Sequence, residues 1–367
     1  MAGLTPEQIH ARAQAGDAAA QVALSLLFDR QGRHDVALAW LEKAATGGSV
    51  EAATAFGSRL LVGRAAPFDP AKGAAWLFKA AERGGEAAAR VAVLTGLGLG
   101  RAADWKAALD WLLKAAQRGD RHARGQLGVL AADAELGILL RSTAPASDNR
   151  LKAAARSVDL DGWLTKPSGE AVHETPRVRV FRDFVPAAVL SWIRMQADGR
   201  LDTLRVYDAE AGGSRPDDIR TSRGTGFGLL ETDLVVTLVR ARMAAASGLA
   251  LAHFEAPNVL NYQVGQQYRP HYDFIDPDAP ALAAALRLGQ RTATFLLYLN
   301  DDYEGGETAF PRLNWSFKAR AGDALLFFNV DADDRPVQES LHAGLPPTSG
   351  EKWLLSQWIR DRPQPII

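Results

Sequence analysis

Asn261-Tyr262-Gln263-Val264-Gly265-Gln266-Gln267-Tyr268-Arg269-Pro270-His271-Tyr272-Asp273 is the stretch on which the reading of this chain turns. It closes on a histidine and a carboxylate two positions apart. In a strand such positions share a face, so His271 and Asp273 are expected to reach one point from one strand. A third partner must come from elsewhere. Of the seven histidines, His10, His34 and His122 lie in the first third of the chain, His173 in a patternless stretch and His253 at a helix-to-strand turn. His342 is the best remaining candidate, and Lys352 follows it by ten residues. Two imidazoles and a carboxylate can occupy one face of an octahedral iron(II) and leave three positions open. A lysine at that spacing supplies a cation where an acidic cosubstrate would need one. Taken alone, His-x-Asp is a weak signal, and a lone histidine such as His342 is more often a satisfied structural one.

The pattern around this stretch has a period of two. Alternation or short β-rich runs occur at Arg177–Phe181, Asn258–Val264, Thr292–Asn300, Ala324–Asn329 and Lys352–Ile359. Helices are expected near Pro186–Ala197 and Glu231–Ser247. Helices followed by many short antiparallel strands predict a double-stranded β-helix, or jelly-roll, with supporting helices. Upstream the period changes. Ala39-Trp40-Leu41-Glu42-Lys43-Ala44-Ala45 recurs as Ala75-Trp76-Leu77-Phe78-Lys79-Ala80-Ala81 and as Asp110-Trp111-Leu112-Leu113-Lys114-Ala115-Ala116, with tryptophans 36 and 35 residues apart. Helix, glycine turn and second helix at that period define an all-α helical-repeat solenoid. Its alanines are expected to let helices approach closely, Gly47, Gly84 and Gly119 to serve as left-handed caps, and the tryptophans to pack between neighbouring hairpins. The expected division is residues 1–136 for the solenoid, 137–175 for a connector with a short helix at Arg150–Val158, and 176–367 for the β-rich domain.

Composition is that of an ordinary globular protein, with 47% apolar and 23% charged residues. A net charge of −1 provides no basic field for nucleic acid or anionic membrane. There is no cysteine, which fits a reducing compartment. The N-terminus has no apolar core of a secretory signal. The longest apolar stretch, Leu234–Ala252, is broken by Arg240 and Arg242 and does not read as a membrane span. The expected location is cytoplasmic.

The quoted stretch resembles the metal-binding strand of the prolyl 4-hydroxylases, a branch of the iron(II)/2-oxoglutarate dioxygenases. The likeness continues in order through Thr294–Asn300, Glu304-Gly305-Gly306-Glu307-Thr308-Ala309-Phe310-Pro311, Ala321–Phe328, Ser340-Leu341-His342-Ala343-Gly344 and Gly350-Glu351-Lys352-Trp353. Arg220-Thr221-Ser222 resembles the segment before the family's supporting helix. The repeats, over roughly Ala18 to Ala134, resemble Sel-one-like repeats, relatives of the tetratricopeptide repeat.

The resemblance implies iron(II) held by His271, Asp273 and His342, with 2-oxoglutarate as cosubstrate, dioxygen as oxidant and ascorbate as reductant. Lys352 would pair with the distal carboxylate of 2-oxoglutarate, with Tyr262 donating a hydroxyl to it. Trp358, which shares strand parity with Lys352, and Thr308 complete the implied cosubstrate pocket. The implied reaction couples decarboxylation of 2-oxoglutarate to succinate and carbon dioxide with hydroxylation of an unactivated C–H. The first expected substrate is proline in a peptide or protein, which the solenoid would capture. Two alternatives stay open: the same chemistry on a free amino acid or small molecule, with the solenoid binding another protein, and a non-enzymatic repeat scaffold bearing a decayed barrel. Ala209–Gly226 and Asp276–Gln290 are candidate substrate lids, and Arg223 a candidate substrate contact.

Overall fold

Alanine and glycine set the spacing of the helices in the first part of the chain, which the computed structural model describes over residues 3–138, 146–203, 206–208, 213–215 and 220–365. The helices are α1 (Pro6–Gln14), α2 (Ala18–Arg30), α3 (His34–Thr46), α4 (Val50–Val62), α5 (Pro70–Ala81), α6 (Gly85–Leu97), α7 (Trp105–Gln117), α8 (Arg121–Leu130), α9 (Ala134–Ile138) and α10 (Asp148–Ser157). The three repeats are the hairpins α3–α4, α5–α6 and α7–α8. Asp17, Ser49, Asp69, Asp104 and Asp120 each cap a helix by accepting the amide three residues on, worth about 1 kcal/mol apiece. Ala37, Ala44, Ala81 and Ala115 are fully buried. Helices α4 and α5 meet at Gly57 and Gly73: a Cβ on Gly73 would lie 2.6 Å from the Leu61 amide nitrogen and 2.7 Å from the Gly57 oxygen.

The turn glycines depart from expectation. Gly119 is left-handed (φ +88°), but in the first repeat that role falls to Gly48 (φ +93°), not Gly47 (φ −70°). Gly84 (φ −107°) is the N-cap of α6. The tryptophans are half-buried, as packing elements. Trp40, Trp76 and Trp111 meet the rings of His10, Phe56 and Phe78 edge-on, with Lys43, Lys79 and Lys114 over their faces.

The described chain forms two compact units. The first runs to Leu160 and also includes Leu229–Thr237. Within it the Leu234 amide donates to Gln126 Oε1 at 2.9 Å, and Arg64 pairs with Glu231 at 3.0 Å.

The second unit, Asp161–Gly228 with Leu238–Pro365, is a double-stranded β-helix. Its major sheet has the order Glu170–Glu174, Arg177–Phe181, Ala324–Phe328, Arg291–Tyr298, Lys352–Arg360, Asn258–Tyr262, Arg223–Gly226, Asp202–Thr203. The minor sheet has the order Trp315–Phe317, Thr308–Phe310, His342–Gly344, Tyr268–His271. All pairings are antiparallel. Their facing sides share a core, in which Phe310 meets Phe327 edge-on at 5.2 Å and Tyr298 meets Phe317 at 5.6 Å. The segment expected as a connector is not patternless: besides α10 it carries the outermost strand of the major sheet, Glu170–Glu174. Among the described residues no helix is long and apolar enough to cross a membrane.

Candidate active site

The minor sheet brings the two histidines together. His342 opens its strand and His271 closes the neighbouring one, and the two are register partners. Asp273 lies in the bend two residues past His271, outside the strand on which it was expected. The three still converge. His271 Nε2 is 3.7 Å from Asp273 Oδ1, His342 Nε2 is 3.5 Å from Asp273 Oδ2, and the donor atoms lie within 4.8 Å of one another. Each ring is aimed from behind: His271 Nδ1 bonds the Arg269 oxygen at 2.8 Å and His342 Nδ1 the Ser340 oxygen at 3.0 Å. A carbonyl accepts only from Nδ1–H, so Nε2 is the nitrogen that each neutral ring would offer to a ligand. Burial, then the nearby His342, pushes His271 down to about 3, so its imidazole is neutral. Burial alone would raise the Asp273 carboxyl. His342, His271, Arg291 and the Thr294 hydroxyl outweigh it and hold Asp273 below the usual range.

One cavity contains the expected triad, His271, Asp273 and His342, together with the four residues expected to bind the cosubstrate, Lys352, Tyr262, Thr308 and Trp358. Its far wall follows strand parity, since Lys352, Leu354, Ser356 and Trp358 alternate along Lys352–Arg360 and all face inward. Lys352 is 1% exposed. Its Nζ donates to the Gly306 oxygen at 2.7 Å and lies 5.5 Å from the Tyr262 ring and 5.3 Å from the Tyr298 ring. No carboxylate lies within ion-pair distance of it among the described residues. Desolvation therefore lowers Lys352 to about 7, with Glu307 partly opposing. Tyr262 is the register partner of Lys352, and burial raises its phenol against Arg220 and a Ser222 hydrogen bond. Thr308 shares a 2.7 Å hydrogen bond with the Tyr298 hydroxyl. Trp358 carries the Arg291 guanidinium 3.7 Å from its ring centroid, and Glu255 grips Arg291 at 2.7 and 3.1 Å and Arg360 at 2.6 Å.

Two residues enter the cavity that parity did not single out. Tyr268 stacks on His271, with centroids 3.4 Å apart. Three positions apart on a regular strand they would face opposite ways. The register explains the stack: His342 opposes His271 and Gly344 opposes Tyr268, so two steps on one strand match three on the other. The extra residue is a β-bulge, which returns Tyr268 to the face of His271. Arg220, 8% exposed, lies 4.7 Å from the Tyr268 ring centroid and lines the cavity. Arg223 does not line it and donates to the Leu201 oxygen instead. Of the two expected lids, residues 209–212 and 216–219 lie outside the described residues. The second, Asp276–Gln290, holds the short helices Pro280–Leu282 and Ala283–Leu286. It is tied at its base, where Gln290 bonds both backbone groups of Ile275 and Arg360 donates to the Ala285 oxygen.

The chain is similar to several known proteins. Residues 257–360 match the 2OG-Fe(II) oxygenase superfamily. The chain is 33% identical to prolyl 4-hydroxylase 1 of Arabidopsis thaliana over 207 residues, which is 53% of this chain and 72% of that protein. The viral collagen prolyl hydroxylase of Paramecium Bursaria Chlorella virus-1, solved as a 2OG complex, is 27% identical, with coverage of 50% and 94% and a TM-score of 0.39. A Sel1 repeat protein from Oxalobacter formigenes is 22% identical, with coverage of 44% and 64% and a TM-score of 0.31. The share of a curated relative that this chain spans runs from 36% to 72%. The chain belongs to the prolyl 4-hydroxylase family of 2-oxoglutarate- and iron(II)-dependent oxygenases.

The residues present fit what that family implies. Two imidazoles and a buried carboxylate are a donor set for iron(II). A buried ammonium whose one bonded partner among the described residues is a carbonyl fits an acidic cosubstrate, because burying an uncompensated charge is costly.

Proposed function

We propose that the second unit hydroxylates proline within a peptide or protein, with His271, Asp273 and His342 holding iron(II) and Lys352 binding 2-oxoglutarate. The observation that carries this reading is the placement of a buried, carboxylate-free lysine in the same cavity as the triad. When bound, iron(II) with 2-oxoglutarate and dioxygen supplies the oxidising power for C–H hydroxylation, releasing succinate and carbon dioxide. The side chains do the rest. Lys352 anchors the distal carboxylate, and Tyr262, its register partner, offers a hydroxyl from the adjacent strand. Thr308 steadies Tyr298 beneath the ammonium. Leu260, Leu296 and Leu354 keep water from the lining, which strengthens every polar contact made there. Trp358, braced by Arg291, walls the cavity.

Prolyl substrate follows from family membership, and ascorbate would serve as reductant. The test measures succinate formed from 2-oxoglutarate with iron(II) and ascorbate, with and without proline-rich peptides. Peptides are expected to raise turnover and gain one oxygen on proline. His342→Ala should abolish both while leaving the fold intact. Turnover indifferent to every peptide would sink the peptidyl-proline reading, and undiminished activity of His342→Ala would remove that residue from the site.

A further inference from the structure

Thr294 enters the site only through its bond to Asp273 and Asn329 has no part in it so far, yet both are buried, at 1% and 0% exposure. Thr294 lies on the strand Arg291–Tyr298, and its hydroxyl donates to Asp273 Oδ2 at 2.7 Å. Asn329 follows the strand Ala324–Phe328, and its Nδ2 donates to the same hydroxyl at 3.1 Å. A hydroxyl has one proton to give. With the Asn329 amide donating, the Thr294 proton has one acceptor left, the carboxylate. The reversed amide would put a competing carbonyl there, so the chain of donors runs one way: amide, hydroxyl, carboxylate.

The backbone under Asn329 is equally fixed. Its amide donates to the Thr292 oxygen at 2.8 Å, and its oxygen accepts from Val337 at 2.9 Å. Asn329 Oδ1 is buried with no hydrogen-bond partner among the described residues. The side chain is therefore held in an orientation that leaves one of its own polar atoms unsatisfied while satisfying Thr294. On the far side, Asp273 Oδ1 has no hydrogen bond among the described residues and lies 3.7 Å from His271 Nε2. The carboxylate is thus gripped by one oxygen and presents the other.

We propose that Thr294 and Asn329 are positioning residues: they fix the rotation of the Asp273 carboxylate and so determine how tightly the triad retains a divalent metal. The inference rests on the metal site proposed above, and the experiment separates the two. Metal-free full-length protein is titrated with Mn(II), the free ion being followed by electron paramagnetic resonance. The wild type is expected to take up Mn(II), and His342→Ala to lose that uptake. A wild type that binds no more than His342→Ala overturns the metal site itself. Given a working site, Thr294→Val should weaken Mn(II) binding about 10–100-fold, the range for residues that orient metal ligands. Thr294→Ser, which keeps the hydroxyl, should restore most of it, and Asn329→Ala should fall between.

Melting curves of the metal-free variants show that the fold is intact. A folded Thr294→Val with wild-type affinity overturns the proposal. So does a Thr294→Ser as weak as the valine variant, which would assign the effect to packing. Should Thr294→Val fail to fold, Asn329→Ala decides, since it keeps the hydroxyl and removes only its orientation; wild-type binding there overturns the proposal as well.

Discussion

A lysine that is 1% exposed and has no carboxylate against it is out of place until an acid arrives. Lowered to about 7, Lys352 is largely neutral at pH 8. Binding of 2-oxoglutarate would favour the ammonium and raise its pKa, so binding takes up a proton. Affinity should be greatest below pH 7 and fall about tenfold per unit above it, up to the higher pKa of the bound state. Calorimetry on Mn(II)-loaded protein checks this, and an affinity constant from pH 6.5 to 8.5 would contradict it. For folding the sign is opposite. The unfolded chain, with the ordinary lysine value, binds more protons between pH 7 and 10.5, so this group lets stability rise with pH across that window. Lys352→Met should therefore raise the melting temperature, most at pH 7 and below, while weakening 2-oxoglutarate binding roughly 100-fold or more. The inward face of this strand was legible because Lys352 and Trp358 obey period two. Tyr268 was not, because its bulge lies in the pairing with another strand. Arg220 was seen only as part of a resemblance, with nothing in its spacing to prefer it over Arg223.

Helix and strand differ in how much of themselves they write into sequence. The repeats were plain because their helices are 10 to 13 residues long and the first helix of each hairpin recurs with its tryptophan. Their turns were less so: Gly47 and Gly48 are adjacent, and which one takes the left-handed conformation depends on where α3 stops. The minor-sheet strands Thr308–Phe310 and Trp315–Phe317 span three residues each, too few to show a period. Glu170–Glu174 is mostly polar and shifts register between Ala171 and His173, so alternation is lost in it. At this scale the α4–α5 crossing is open to test. Gly73→Ala must push apart two backbones and should cost about 1–3 kcal/mol, measured by urea unfolding of the full chain. Unchanged stability would mean that the helices separate freely.

The whole chain joins a unit built on local repeats to one built on distant strand pairings. If the repeats capture substrate, KM should fall roughly tenfold or more as proline-rich peptides lengthen, with kcat unchanged, because a second contact raises the effective concentration at the first. A KM independent of length would remove the solenoid from substrate binding. Peptide length is a cleaner variable than deletion of residues 1–135, which would also strip Leu229–Thr237 of Gln126 and Arg64. The bulge beside His271 has its own consequence at this scale. The strand that carries the first histidine is one residue longer than its partner over the same span, and that surplus aligns Tyr268 with His271. The stack depends on where the extra residue is absorbed: regular pairing at the same length would turn the tyrosine ring to the opposite face of the sheet, whereas one residue fewer would remove the bulge and leave both side chains on one face. What this short segment must keep is therefore agreement between its length and its pairing, more than any particular letter between the two rings.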